Sequence, residues 1–167
     1  SISDKGLMAV KNYREGTFTE IEKINGETAR KKAWVRDFAC YCCPLSCKKS
    51  GAVKNGPYKS IVHDGPEYET IAGCGSNIGV FDPETIIELN YYCDTYGIGT
   101  ISFGTATAFA MECYEAGILD ADKTGGLALH FGNAEAAVEL KMTGTAYEAA
   151  LAAFAQSTSA SLIDFLR

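Results

Sequence analysis

Histidine is nearly missing from this chain. There are two in 167 residues, His63 and His130, which leaves a zinc site of the paired Cys–His kind short of ligands. No apolar run is long enough to span a bilayer. The opening residues, SISDKGLMAVKNYREG, lack a charged-then-apolar leader and an initiator Met, so the chain is expected to be processed or to be a piece of something longer. Positive charge is short too. Fifteen Lys and Arg stand against 21 Asp and Glu, a formal net charge of −6, which argues against nucleic acid or an anionic membrane surface as the main partner. There is no internal repeat and no low-complexity tract. Strand-like alternation is scarce, GLALHFG at 126–132 being the best short candidate.

What is present begins with a core. The chain is 47% hydrophobic, enough to bury one sizeable core, so a single domain over residues 1–167 is expected. The helix signals are strong after residue 80. In FDPETIIELNYYCDTYG, Asp82 can cap, Pro83 suits the first helical position and Glu84 complements the dipole. Ile86, Leu89, Tyr92 and Cys93 then share a face, and Gly97 is a natural stop. SFGTATAFAMECYEAG is a second helix ending at Gly117, whose small residues let another backbone come close. GNAEAAVELKMTG, capped by Asn133, is a third, and the Ala-rich tail from Thr145 adds one or two more. Before these, NGETARKKAWVRDF reads as helical, and Ser50–Val80 is rich in Gly and Pro and prone to turns. The expected fold class is all-α, mostly helical, with an irregular Gly/Pro-rich segment over residues 40–80. An irregular segment of that length in a compact domain is often functional.

Seven cysteines are an odd number, which does not suit an evenly paired disulfide framework. It suits a reducing, cytoplasmic compartment. Four of the seven fall in CYCCPLSC, 40–47. Cys40, Cys43 and Cys47 form C-x2-C-x3-C, and three thiolates this close can face one small object. Soft thiolates select zinc or iron–sulfur clusters. A structural zinc site usually has a second C-x2-C or distant histidines, whereas a three-cysteine run with one distant ligand is a common 4Fe–4S layout. Iron–sulfur is the favoured reading, with zinc and incidental thiols still open. Cys42 is out of phase with the motif, a bystander. Cys74, Cys93 and Cys113 are scattered singly; each is a candidate fourth ligand, but is read first as a small buried hydrophobe.

Three segments in order, CYCCPLSC, GPEYETIAGCGSNIGV and LNYYCDTYGIGTISFGTATAFAMECYEAGIL, resemble the middle domain of the tungsten-containing aldehyde:ferredoxin oxidoreductases. The upstream KNYREGTFTEIEKINGE fits the same family's run-in, and the likeness extends from Lys11 to Glu139. It implies a β-rich first domain and two largely helical ones, with this chain supplying only the middle domain. It implies tungsten (or molybdenum) held by two pterins at the domain junction, and a 4Fe–4S cluster beside one of them, with residues 40–80 as the segment that faces cluster and cofactor. Aldehydes would be oxidised to carboxylic acids, with electrons passing to ferredoxin. The implied partners are the absent N- and C-terminal domains, ferredoxin and a second copy of the chain. The fourth cluster cysteine is implied to lie in the absent last domain.

By resemblance, Cys40, Cys43 and Cys47 are the cluster ligands. The pterin motif Asp-x-x-Gly-Leu-Asp/Cys maps to Asp94, Gly97, Ile98 and Gly99, with Gly99 in place of the second acceptor. Glu69, with Glu67 second, is implied to stand near the metal and to act as general acid or base. Glu88 lies where some members hold an interface metal with a Glu and a His. No histidine follows at the matching distance, so that site is expected to be absent and Glu88 to be an exposed helix residue. His63 is expected on a surface loop. The alternatives are a non-catalytic iron–sulfur electron-transfer module, which Gly99 favours, and a zinc-stabilised helical interaction module.

Overall fold

The computed structural model describes residues 5–142. The Ala-rich tail expected to be helical lies outside them. Five α-helices carry most of the fold: α1 Gly26–Lys32, α2 Tyr68–Gly73, α3 Pro83–Tyr96, α4 Thr100–Glu115 and α5 Ala134–Met142. Between α1 and α2 runs a three-stranded antiparallel sheet in the order β1–β2–β3, with β1 Trp34–Phe38, β2 Lys48–Ala52 and β3 Val62–Asp64. The all-α expectation therefore needs correction: the chain is mainly helical with a small sheet. Strands β2 and β3 sit within the segment that looked irregular, and β1 in the stretch before it that read as helical. The helical reading of 25–38 holds only as far as Lys32. From Trp34 the backbone pairs instead with β2, Asp37 opposite Lys49 and Phe38 opposite Lys48. GLALHFG is not a strand. Leu129 within it is fully buried in the main core.

The long helices follow their sequence signals. Asp82 Oδ2 accepts from the Thr85 backbone N at 2.9 Å, capping α3. Gly97 ends α3 at φ 67°, with its N–H bonded to the Asp94 carbonyl and the Ile98 N–H to the Cys93 carbonyl. That paired closure favours glycine because only glycine enters the left-handed region without cost. Asn133 Oδ1 accepts from Ala136 N at 3.0 Å and caps α5.

Ile86, Leu89, Cys93, Met111 and Leu140 lie in one apolar core. Cys74 and Cys113 are buried in it as well, as expected of small hydrophobes. The helix α2 packs on α4 at two glycines: a Cβ on Gly104 would stand 2.3 Å from the Gly73 carbonyl oxygen. A second, smaller core of Ala33, Val53 and Ile87 seats the sheet on α3, with Tyr58 and Tyr91 packed around it. At Gly51 of β2 a Cβ would meet Ile87 Cδ1 at 1.8 Å, so the strand lies flat on the helix there.

Candidate cofactor and catalytic site

The cysteine motif occupies the loop joining β1 to β2. A tight turn closes it, with the Cys43 N–H bonded to the Cys40 carbonyl at 3.0 Å. Cys42 takes the left-handed position of that turn at φ 58°. This accounts for its being out of phase: it makes the corner, and Cys40 and Cys43 stand at the two ends. Cys40 and Cys47 are exposed and Cys43 is half-buried. The three share a loop but not a point. Among the described residues no three His, Cys, Asp or Glu side chains converge on a single ion. An iron–sulfur cluster does not ask for that, because it spreads its thiolates over separate irons.

Lys48 follows Cys47 directly. Its ammonium is paired with Asp64 on β3. That hydrogen bond holds the lysine above its usual range, and the charges of Cys40 and Glu67 add to the effect. Lys49 is 2.9 Å from Asp37 and lies over the Trp34 ring at 5.4 Å. Two fixed cations therefore adjoin the thiols, where an anionic cluster would need them.

The carboxylates and the Asp94 segment meet at a cleft of about 520 Å³. Its wall includes Glu67 and Glu69, from the start of α2, and Asp94, Ile98 and Gly99, from the α3–α4 junction. Lys48 and Asp64 line it too. Gly97 is not part of the lining. It makes the turn that delivers Ile98 and Gly99. A larger cleft of about 690 Å³ is more apolar, lined by Met8, Ile24, Trp34, Tyr68 and Ile71. Cys47 lines it, and so do Glu67 and Glu69. The two carboxylates thus stand on the divide between a polar cleft and an apolar one, and Cys47 opens onto the apolar side.

The Asp94 side chain is 51% exposed, so its carboxylate can take a ligand's N–H groups. Its Oδ2 accepts from Asn90 Nδ2 at 3.1 Å. Gly99 adopts φ −63°, ψ 131°, a conformation open to any residue. A Cβ there would find only Ser102 at 3.6 Å. The missing acceptor at 99 is therefore a matter of sequence, and the backbone does not demand glycine.

Two expectations fail. His63 is not a surface-loop residue. It lies on β3 with its side chain 10% exposed, and its Nε2 meets the Ile87 carbonyl at 3.1 Å. Glu88 is not exposed either, at 7%. Its Oε1 accepts from the Tyr92 hydroxyl at 3.2 Å, and Gly56 leaves room for it, since a Cβ there would lie 2.2 Å from the same oxygen. Both follow from the segment 53–66, which packs on α3: it brings Gly56 against Glu88 and, on β3, carries His63 against the Ile87 carbonyl. Sequence reasoning also passed over Asn90. The one available signal was its place one helical turn before Asp94, where amide–carboxylate pairs form.

A sequence model described as aldehyde ferredoxin oxidoreductase, domains 2 and 3, matches residues 1–158. The chain belongs to this family. The tungsten-containing aldehyde ferredoxin oxidoreductase of Thermococcus kodakarensis is 40% identical to it over 124 residues, 74% of this chain and 20% of the relative. The protein of the same name from Pyrococcus furiosus is 39% identical over a stretch of the same length. The aliphatic sulfonate oxidoreductase, WOR-like subunit, of Pyrococcus furiosus is 33% identical over 138 residues, 82% of this chain and 22% of the relative. The chain spans about a fifth of the length of these relatives. As a member of the aldehyde ferredoxin oxidoreductase family it belongs to an oxidoreductase family, and two of these three relatives are named as tungsten-containing. Its donor set is chemically suited to the groups implied: soft thiolates beside two lysines for a cluster, and an exposed carboxylate on a polar cleft for a pterin edge. No helix of the described residues is long and apolar enough to cross a membrane.

Proposed function

We propose that this chain forms the cluster- and pterin-facing part of a tungsten (or molybdenum) oxidoreductase that converts aldehydes to carboxylic acids. The reaction is aldehyde plus water giving carboxylic acid, two electrons and two protons, with ferredoxin as the electron acceptor. Bound metal–pterin supplies the two-electron redox chemistry. The residues here do the rest. Cys40, Cys43 and Cys47 would hold the 4Fe–4S cluster, which would supply a one-electron relay, with a fourth ligand from elsewhere in the enzyme. Asp94 accepts N–H bonds from one pterin, and Gly97 with Ile98 shapes the turn around it. Glu69 takes up the proton released as water adds to the aldehyde carbon, with Glu67 next to it as the second candidate. The observation that carries this reading is the single cleft shared by Glu67, Glu69, Asp94, Ile98 and Gly99, which come from separate elements.

Gly99 favours a second reading, an electron-transfer module on the same scaffold that no longer holds the pterin. Metal analysis separates the two. The protein is purified at its natural length without oxygen, and tungsten, molybdenum, iron, zinc and labile sulfide are measured per chain. About one tungsten or molybdenum with about four irons and four sulfides is the expected result. Iron and sulfide without the heavy metal would leave the electron-transfer module. Zinc alone would overturn both.

A further inference from the structure

One side-chain amide joins the two walls of the polar cleft. Asn90, on α3, is 3% exposed. Its Nδ2 stands 3.1 Å from Asp94 Oδ2, 2.6 Å from the Asp64 carbonyl oxygen and 3.2 Å from His63 Nδ1. An amide NH2 has two hydrogens, so three acceptors share two donors. Asp64 is the last residue of β3, and the strap Gly65-Pro66 runs from it straight to Glu67. The strap lies against the amide: a Cβ on Gly65, at φ 99°, would be 2.6 Å from Asn90 Nδ2. The Asn90 side chain therefore grips both the acceptor on α3 and the root of the segment that carries Glu67 and Glu69.

We propose that Asn90 is a positioning residue, whose amide fixes the Asp94 carboxylate and, through the Asp64 carbonyl, the spacing between that carboxylate and Glu69. The proposal rests on the pterin reading of Asp94. The physical argument is one of donors. Asp94, Asp64 O and His63 Nδ1 are all acceptors when the His63 Nε2–H is donated to the Ile87 carbonyl, and among the described residues the Asn90 amide is the donor that reaches all three. Without it the three repel, and Asp94 turns away from the cleft. The groups facing this point are His63 on β3, Asp94 on α3, Asp64 paired with Lys48 of β2, and the Tyr91 ring 5.4 Å from His63.

Asn90→Asp keeps the shape and removes the donors. In the protein at natural length, assembled without oxygen, pterin retained after gel filtration is measured by the fluorescence of its oxidised product. Asp94→Asn and thermal unfolding are run in parallel. Retention in Asn90→Asp is expected to fall about tenfold or more at pH 8, since a hydrogen bond to a charged group is worth roughly 1.5–3 kcal/mol. It should recover towards pH 5.5, where a proton on the new carboxyl restores a donor. Asp94→Asn should lose pterin at either pH. If Asn90→Asp matches the parent at pH 8, or loses pterin equally at both pH values, the positioning role is wrong while the pterin reading stands. If the parent holds no pterin, or Asp94→Asn keeps it, the pterin reading falls and takes this inference with it. Should Asn90→Asp not fold, Asn90→Ala decides: unchanged retention in a folded variant overturns the proposal, and a tenfold loss supports it.

Discussion

Glu69 lines both clefts and opens α2, with Thr70 behind it bonded to Thr100 at 3.1 Å. A carboxylate so placed can exchange protons with a substrate on the apolar side. Glu69→Gln keeps the shape and removes the base. It is expected to leave tungsten and iron content unchanged and to lower kcat by about 10²- to 10⁴-fold. Unaltered turnover would remove Glu69 from the mechanism and turn attention to Glu67. Tyr92 makes a different residue-scale prediction. It is almost fully buried, and burial together with the Glu88 carboxylate pushes its phenol up to about 12. In the unfolded chain a tyrosine titrates at about 10. The folded state thus keeps a proton that the unfolded chain loses between those values. Stability is intact below about pH 10 and declines as pH rises towards about 12, by up to about 1.4 kcal/mol per pH unit. Urea unfolding across that window should show the decline, and Tyr92→Phe should remove this part of it.

At the scale of elements, the decisive contact is the crossing of α2 on α4. Gly73 and Gly104 meet backbone to backbone, and a Cβ on Gly104 would run into the Gly73 Cα, C and O together. No side chain is available there to give way, so the helices themselves must part. Gly104→Ala is expected to destabilise by at least about 2 kcal/mol and to lower the unfolding midpoint, even though alanine is a far better helix former than glycine. A rise in stability would show that the crossing is looser than described. Because α2 begins with Tyr68 and Glu69, the same substitution should also disturb the cleft.

The whole molecule sets the thiols, the cations and the cleft around one sheet. The strand β2 leaves the cysteine loop at Lys48, β3 supplies Asp64 to pair with it, and α3 carries Asp94 behind. Replacing Cys40, Cys43 and Cys47 together with Ser is expected to abolish iron and labile sulfide while leaving the helical core, which those residues do not enter, folded by circular dichroism. Full retention of iron and sulfide would place the cluster elsewhere. Several apolar side chains stand open at the rim, Tyr41, Leu45, Ile98 and Ile101 among them.

Local chemistry was readable from the residues themselves. Asp82, Pro83 and Gly97 bound α3 because caps and left-handed stops act within a few residues of chain. The burial of Ile86, Leu89 and Cys93 followed from their spacing. The cysteine motif was legible because C-x2-C-x3-C is a spacing. The sheet was not, since β1 and β2 are short and their partners lie beyond the cysteine loop, so pairing overrode the helical preference of 33–38. Nor could the residues alone show that Glu88 and His63 are covered, or that Asn90 reaches Asp64, 26 residues away in sequence. Those facts depend on where loop 53–66 lands on α3. Sequence determined the long helices after residue 80 and the donor types. Tertiary structure decided which of them share a cleft, because that is settled by long-range packing, and no local pattern records it.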